Sequence, residues 1–188
     1  MTTRFTTLMQ TSIRSILCLA ALCGLLVAAP LLEAQAGHNH AAPAKLVQVV
    51  RDATRQFLNV NNAGPDYGPA FGCVSGPDHG AMGVHYVNMA LVGDGEIDEY
   101  HPEALIYEPQ GGNRFKLVGV EYIVDAATYL STHDNVPPQL EGQAFQLVGI
   151  PNRYNIPAPF FELHVWAWRD NPQGAFVDWN NQVSCENQ

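Results

Sequence analysis

Five runs of β-branched and aromatic residues constrain the fold of this chain most strongly. Each run is short and is bounded by glycine, proline, asparagine or other turn-forming residues, a pattern typical of β-strands. We therefore predict strands at residues 84–91, 103–109, 115–124, 160–168 and 175–180. Turn-rich segments separate the second run from the third and the fourth from the fifth, which predicts hairpins and antiparallel pairing.

The region before these runs has a different period. Between residues 45 and 60 the apolar residues recur at steps of three and four, which predicts an amphipathic helix; they are Leu46, Val50, Ala53, Phe57 and Val60. One helix followed by strands predicts an α+β fold, with the helix packed on a mainly antiparallel sheet that forms a sandwich or a partly closed barrel. A hydrophobic content of 47% suits one such domain over residues 45–188.

The N-terminal segment predicts export. Arg4 and Arg14 precede an apolar run at residues 16–29, and Ala34-Gln35-Ala36 follows as a small-x-small cleavage pattern. We predict a signal peptide at residues 1–36, then a flexible tail at 37–44 that contains His38 and His40. The mature protein would then be secreted or periplasmic and would carry no membrane span after cleavage.

The cysteines agree with that interpretation. The chain has four of them, and Cys18 and Cys23 lie within the predicted signal peptide. Cleavage leaves Cys73 and Cys185, and an even pair in an exported protein predicts one disulfide. That bond would join a glycine-rich loop near the start of the domain to the last residues of the chain.

The charge balance argues against one class of partner. Lys and Arg together number 9 against 18 Asp and Glu, which gives a formal net charge of −9. A surface that binds nucleic acid is normally basic, so we predict no nucleic-acid partner. A small molecule or a metal ion is the partner we expect instead.

Four ionisable residues lie inside the predicted strands: His85, Glu108, Glu121 and His164. Successive side chains of a strand point to opposite faces. Glu121 should therefore share a face with Phe115, Leu117, Gly119 and Ile123. One face of the fourth run should likewise carry Phe160, Glu162, His164, Trp166 and Trp168. A buried charge without a partner costs several kcal/mol, so we expect the ionisable groups to converge on one another, on a metal or on a polar ligand.

Two binding functions fit such a cluster. Two histidines and a carboxylate form a ligand set for a divalent transition metal such as zinc, copper or iron, and His85, Glu121 and His164 would supply it. A small-ligand pocket would instead use Glu162, which we expect nearer the rim, together with the aromatic faces of Trp166 and Trp168.

Two further possibilities stay open. A metal-dependent enzyme would use the same three ligands with Glu108 as general base. A hydrogen-bonded His and Glu network could also serve the strands alone, in a structural or interaction module of the cell envelope. The sequence contains neither G-x-S-x-G nor G-x-x-x-x-G-K, nor the metal signature H-E-x-x-H.

Several long blocks of the chain also resemble a known group of proteins. The blocks include MGVHYVN at residues 82–88, LVGVEYIV at 117–124 and FELHVWAWRDNPQGAFVDWNNQVSC at 161–185. They are similar to blocks shared by a family of exported bacterial hypothetical proteins. The resemblance implies a common fold and export, and it transfers no catalytic residue.

Overall fold

The computed structural model describes residues 44–188, and its central element is an antiparallel sheet. The predicted signal peptide and nearly all of the predicted tail lie outside the described residues. The strands follow the order β1-β3-β4-β5-β9-β8, and β2 pairs with β3. Their bounds are β1 Gly68–Pro69, β2 Val74–Gly76, β3 Gly80–Val87, β4 Ala104–Pro109, β5 Phe115–Asp125, β8 Gln146–Val148 and β9 Phe160–Val165.

The remaining elements are short. A separate hairpin is formed by β6 (Gln139–Leu140) and β7 (Gln143–Ala144), and the α-helices are α1 (Lys45–Thr54), α2 (Met89–Val92) and α3 (Ala126–Thr132). A mainly antiparallel sheet with a few helices agrees with the predicted α+β class. Among residues 44–188 the sheet does not close on itself, so the predicted partly closed barrel is not formed.

Helix α1 is shorter than predicted. Leu46, Val47 and Val50 are buried on its inner side, as the apolar period indicated. After Thr54 the chain continues as two 3₁₀ turns, Arg55–Leu58 and Val60–Ala63. Two carbonyls in this region accept from side chains, that of Gln56 from Asn62 and that of Phe57 from Tyr107. These side-chain donors replace the backbone donors that would continue an α-helix.

The sheet has two different faces. The larger apolar core lies on what we call the helix-side face, where Leu105, Tyr107, Tyr122 and Leu163 pack with Leu46 of α1. The opposite face, which we call the site face, carries a small apolar cluster at one end. That cluster consists of Ala81, Ile106, Val118, Trp166 and Val183.

A β-bulge in β5 changes the predicted alternation. Ile106 pairs with Gly119 and Tyr107 with Leu117, so Val118 is an extra residue between two partners. Leu117 therefore belongs to the helix-side core and Val118 to the site face. The prediction that Leu117 shares a face with Glu121 was wrong, because strict alternation does not survive the added residue.

The fourth predicted strand ends early. Strand β9 stops at Val165, where the amide of Ala167 donates to the Val165 carbonyl in a tight turn. This turn sends Trp168 to the helix-side face, where its Nε1 donates to Thr54 Oγ1 at 3.0 Å. Trp166 and Trp168 therefore do not share a face. The predicted strand at residues 175–180 is also not formed; only Asn180 makes an isolated bridge, to Ala81.

The predicted disulfide is confirmed. Cys73 and Cys185 are bonded, with their Cα atoms 5.6 Å apart and a sequence separation of 112 residues. The bond holds the last residues of the chain against the loop that precedes β3. Within residues 44–188, every helix is too short or too polar to traverse a lipid bilayer.

Candidate functional site

Three strands place ionisable side chains next to one another on the site face. Glu121 of β5 is directly paired with His164 of β9. His85 lies on β3 opposite Ile106 of β4, and the β4 residue paired with Glu121 is Ala104, two residues from Ile106 on the same face. Because Ala104 has only a methyl group, the His85 and Glu121 side chains can meet above β4.

The predicted convergence of these three residues is observed. His85 Nε2 lies 3.3 Å from Glu121 Oε2, and His164 Nδ1 lies 3.8 Å from Glu121 Oε1. The two imidazole rings are 5.8 Å apart between centroids and nearly perpendicular. One donor atom from each of the three side chains falls within 4.8 Å of the others, which is close enough for all three to hold one metal ion.

A second carboxylate group extends the cluster. Glu162, His164 and Asp178 also offer donor atoms within 4.8 Å of one another. His164 Nδ1 lies 3.7 Å from Asp178 Oδ1, and Gln146 Nε2 donates to Glu162 Oε1 at 3.4 Å and to Asp178 Oδ2 at 3.3 Å. The candidate site therefore contains two histidines, three carboxyl groups and one amide.

Sequence reasoning missed Asp178 and Gln146. Asp178 lies in an irregular segment, where no strand period indicates which way a side chain points. The one available signal was the predicted Cys73–Cys185 bond, which requires the end of the chain to return toward β3. Gln146 belongs to β8, a strand of three residues that is too short to give a period.

The two histidines are buried and neutral. Burial lowers the pKa of His164 to about 3, and burial together with the neighbouring His164 lowers the pKa of His85 to about 3. By strict hydrogen-bond geometry neither ring nitrogen of either residue has a partner among residues 44–188, although the backbone of Gly83 lies near the His85 ring and partly offsets the effect of burial on its pKa. The 3.3 Å approach of His85 to Glu121 thus lacks hydrogen-bonding orientation. Neutral imidazole is the form that binds transition metals.

Glu121 and Glu162 form a buried carboxyl pair. Burial, followed by the charge of Glu162, raises the pKa of Glu121 well above its ordinary value. Burial also raises the pKa of Glu162. Two carboxyls this close share a proton more readily than they carry two charges.

The expectation that Glu162 lies near the rim was wrong. Only 2% of its surface is exposed. The reason is that β8 pairs with this end of β9, with Gln146 opposite Glu162, so the strand is not an edge. Asp178 approaches the same Gln146 amide from the C-terminal segment.

Glu108 lies apart from the cluster. It is two residues along β4 from Ile106, the partner of His85, but among residues 44–188 its carboxyl oxygens are not grouped with the donor atoms of His85, Glu121 and His164. Its carboxylate pairs with Arg169 and accepts the amide of Ser184 at 3.1 Å. It therefore anchors the C-terminal segment, and the predicted position as a general base beside His85 and His164 is not what the structure shows.

The two predicted ligand-binding tryptophans occupy different environments. Trp166 is buried on the site face, where its Nε1 donates to the Val177 carbonyl at 2.6 Å and its ring stacks on His164 with centroids 6.2 Å apart. Trp168 lies behind the sheet against α1. Trp166 supports the imidazole of His164, and the two tryptophans do not form one pocket.

Two cavities reach the cluster from different sides. One, of about 420 Å³, has mainly apolar walls and includes Glu121 in its lining. The other, of about 460 Å³, is more polar and is lined by Gln146, Glu162 and Asp178 among others. Tyr154 is a lining residue of both cavities.

No family model, curated protein or solved structure matches this chain. The resemblance to exported bacterial proteins therefore stays a prediction.

Proposed function

We propose that the protein binds a divalent transition metal at His85, Glu121 and His164. The observation that carries this proposal is the state of the two imidazoles. Both are buried and neutral, and their four ring nitrogens lack hydrogen-bond partners among the described residues. A metal would give two of these nitrogens a partner.

A purely structural network explains the same residues less well. A network that fixes strand register stabilises the protein only if its members satisfy one another, because a buried polar atom without a partner costs about 1–3 kcal/mol. Here the imidazole of His85 lies close to the Glu121 carboxylate, but its orientation does not allow a hydrogen bond. That arrangement suits residues held ready for a ligand.

The donor types favour zinc, iron or copper. Two imidazole nitrogens and a carboxylate oxygen are a common ligand set for these metals, whereas calcium and magnesium prefer oxygen alone. Glu162 and Asp178 lie close enough to His164 to supply further oxygens. Such a site would hold its metal on the site face, with the ring of Trp166 stacked on that of His164.

We also propose that the protein works outside the cytoplasm, in secreted or periplasmic form. The Cys73–Cys185 disulfide supports this location, because such bonds persist in oxidising compartments. The predicted signal peptide is consistent with it.

A metal-dependent enzyme is the second candidate. The observation in its favour is that Glu121, a proposed ligand, also lines the apolar cavity. A molecule in that cavity would stand beside the metal, as a substrate must. Because Glu108 is bound to Arg169 elsewhere, any general base in this candidate would come from Glu162 or Asp178.

Metal analysis of the untagged mature protein tests the proposal. We expect about one transition metal per chain in wild-type protein incubated with zinc, copper or iron and then desalted. His85→Ala and His164→Ala should each lose most of that metal. His101→Ala is the matched control, since His101 is exposed and bound to Asp98 at 2.8 Å. Wild-type protein that stays metal-free, or a His164→Ala variant that retains its metal, would contradict the proposal.

A further inference from the structure

The apolar cavity continues the site face by one row of side chains. Along β3, β5 and β9 the residues two positions beyond the proposed site residues are apolar. They follow or precede His85, Glu121 and Glu162 on the same face and all line the cavity: Val87, Ile123 and Phe160. The cavity and the cluster therefore share one continuous surface of the sheet.

Aromatic side chains form the outer wall. Phe71 and Tyr154 are stacked with their centroids 5.2 Å apart, and Phe71 also lies 5.3 Å from the ring of His85. Tyr154 lies 6.3 Å from Phe160. Flat rings on several sides favour a flat aromatic guest, because such rings gain from stacked or edge-on contact beyond the area that they bury.

The volume sets the size of that guest. An apolar cavity of about 150 Å³ accepts benzene, and this cavity measures about 420 Å³. One or two fused rings would fit. A longer alkyl chain would have to leave through the mouth, where Met89 is 69% exposed.

The ionisable side chains of the cavity limit which polar group the guest can carry. The ionisable side chains that line the cavity are Glu121, Asp125 and Tyr154, and none of the lining residues is a lysine or arginine. Without metal, a carboxylate on the guest would find no cation in the lining and would face Asp125, while with metal an ammonium group would be repelled. A hydroxyl is neutral, can donate to Glu121, and carries an oxygen that a metal can bind.

We propose that this cavity binds a neutral aromatic molecule of one or two rings that bears a hydroxyl group. The rings lie among Phe71, Tyr154 and Phe160, and the hydroxyl points to Glu121. Such binding would extend the proposed function. It rests on that function only for the contact between the hydroxyl oxygen and the metal. The apolar walls and Glu121 are present without metal.

Fluorescence titration with 2-naphthol tests the inference, with naphthalene and 2-naphthoate as probes of the same shape. We expect 2-naphthol to bind about tenfold more tightly than naphthalene, because the hydroxyl gains a hydrogen bond in the cavity. In metal-free protein the naphthoate should bind more weakly than either. Both metal-loaded and metal-free protein are titrated, and loading should further strengthen the binding of 2-naphthol.

A matched pair of variants locates the binding. Ala158 lines the cavity, whereas Ala127 is exposed on α3 and is not among the lining residues. Ala158→Phe should weaken 2-naphthol binding at least about tenfold by filling the space and should keep its metal. Ala127→Phe should change neither.

The outcomes separate the two proposals. Unchanged 2-naphthol affinity in Ala158→Phe, or naphthoate binding to metal-free protein as tight as that of 2-naphthol, overturns the cavity inference even if the metal is found. Tight 2-naphthol binding that Ala158→Phe abolishes, in a protein that takes up no metal, supports the cavity and rejects the metal centre.

Discussion

The two faces of the sheet differ in whether certain buried polar groups have hydrogen-bond partners. On the helix-side face the buried hydroxyls reach backbone carbonyls: Tyr67 donates to Pro102 at 2.8 Å, Tyr107 to Phe57 at 2.8 Å and Tyr122 to Glu99 at 2.6 Å. On the site face the ring nitrogens of His85 and His164 have no such partner among residues 44–188. The same strands supply both faces.

This difference indicates which face of the sheet is suited to bind a ligand. Native proteins satisfy nearly all their buried polar atoms, so a group of exceptions needs a reason. Apart from Arg169 Nε, the exceptions among the described residues belong to His85, His164 and Glu162, beside one carboxyl pair and a cavity. A face that is kept incomplete at a cost in stability is typical of a binding site, whereas the helix-side face only has to hold the fold.

The greatest change in stability that we predict concerns Glu103, whose buried carboxyl group lies beside the helix-side core. Burial raises the pKa of Glu103 to about 8, although the amide of Ile123 donates to its carboxyl at 3.0 Å. A raised pKa in the folded state means that stability is complete below the ordinary value of 4.5 and is lost as pH rises through about 8. We expect a loss of a few kcal/mol across that interval.

Glu103→Gln isolates this contribution. The variant cannot lose a proton, so its free energy of unfolding should fall less than that of the wild type between pH 5 and 9. Chemical denaturation at several pH values measures the difference, with Glu96→Gln, at an exposed position of the preceding loop, as the control. Parallel pH profiles for wild type and Glu103→Gln would show that Glu103 is ionised in the fold.

A pair of substitutions tests the contrast between the faces directly. Tyr107→Phe removes the donor to the Phe57 carbonyl, which should lower stability by about 1–3 kcal/mol because a buried acceptor loses its partner. His85→Leu removes two unsatisfied nitrogens at similar volume, so metal-free protein should be unchanged or more stable by about 1 kcal/mol.

Urea denaturation of metal-free protein, with chelator present, measures both changes. The sign is the informative result, since both substitutions remove polar atoms from one buried side chain. A His85→Leu variant destabilised as much as Tyr107→Phe would mean that the imidazole is satisfied in the folded protein, and the contrast between the faces would fail.

The sequence could predict the three central residues because each lies in a strand with a clear period. His85, Glu121 and His164 point to one face as alternation requires, and the structure brings them together. Alternation failed where the backbone departs from a regular strand. The bulge at Val118 and the tight turn after Val165 each exchange faces for the residues beyond them.

Other parts of the site depend on long-range packing. Asp178 reaches His164 because the C-terminal segment returns across the sheet, and the burial of Glu162 depends on β8 pairing beside it. Neither arrangement has a local signal. The disulfide was predictable because it followed from counting the cysteines outside the predicted signal peptide, without knowledge of geometry.

The smallest change in stability that we predict is that of Tyr154→Phe, which we compare with Tyr107→Phe. The Tyr154 hydroxyl donates to the sulfur of Met82 at 3.2 Å, whereas Tyr107 donates to a carbonyl oxygen. Thioether sulfur is a weak acceptor, so its loss as a partner leaves little unsatisfied. Tyr154→Phe should therefore cost less than about 0.5 kcal/mol in urea denaturation, well below Tyr107→Phe.

The same variant also reports on the cavity, because Tyr154 lines both the apolar and the polar cavity. Its ring remains in Tyr154→Phe, so the stacking on Phe71 persists and 2-naphthol should still bind. A loss of stability equal to that of Tyr107→Phe would place Tyr154 among the satisfied tyrosines. The buried tyrosine hydroxyls on both faces would then have hydrogen-bond partners, and only the imidazoles would distinguish the site face.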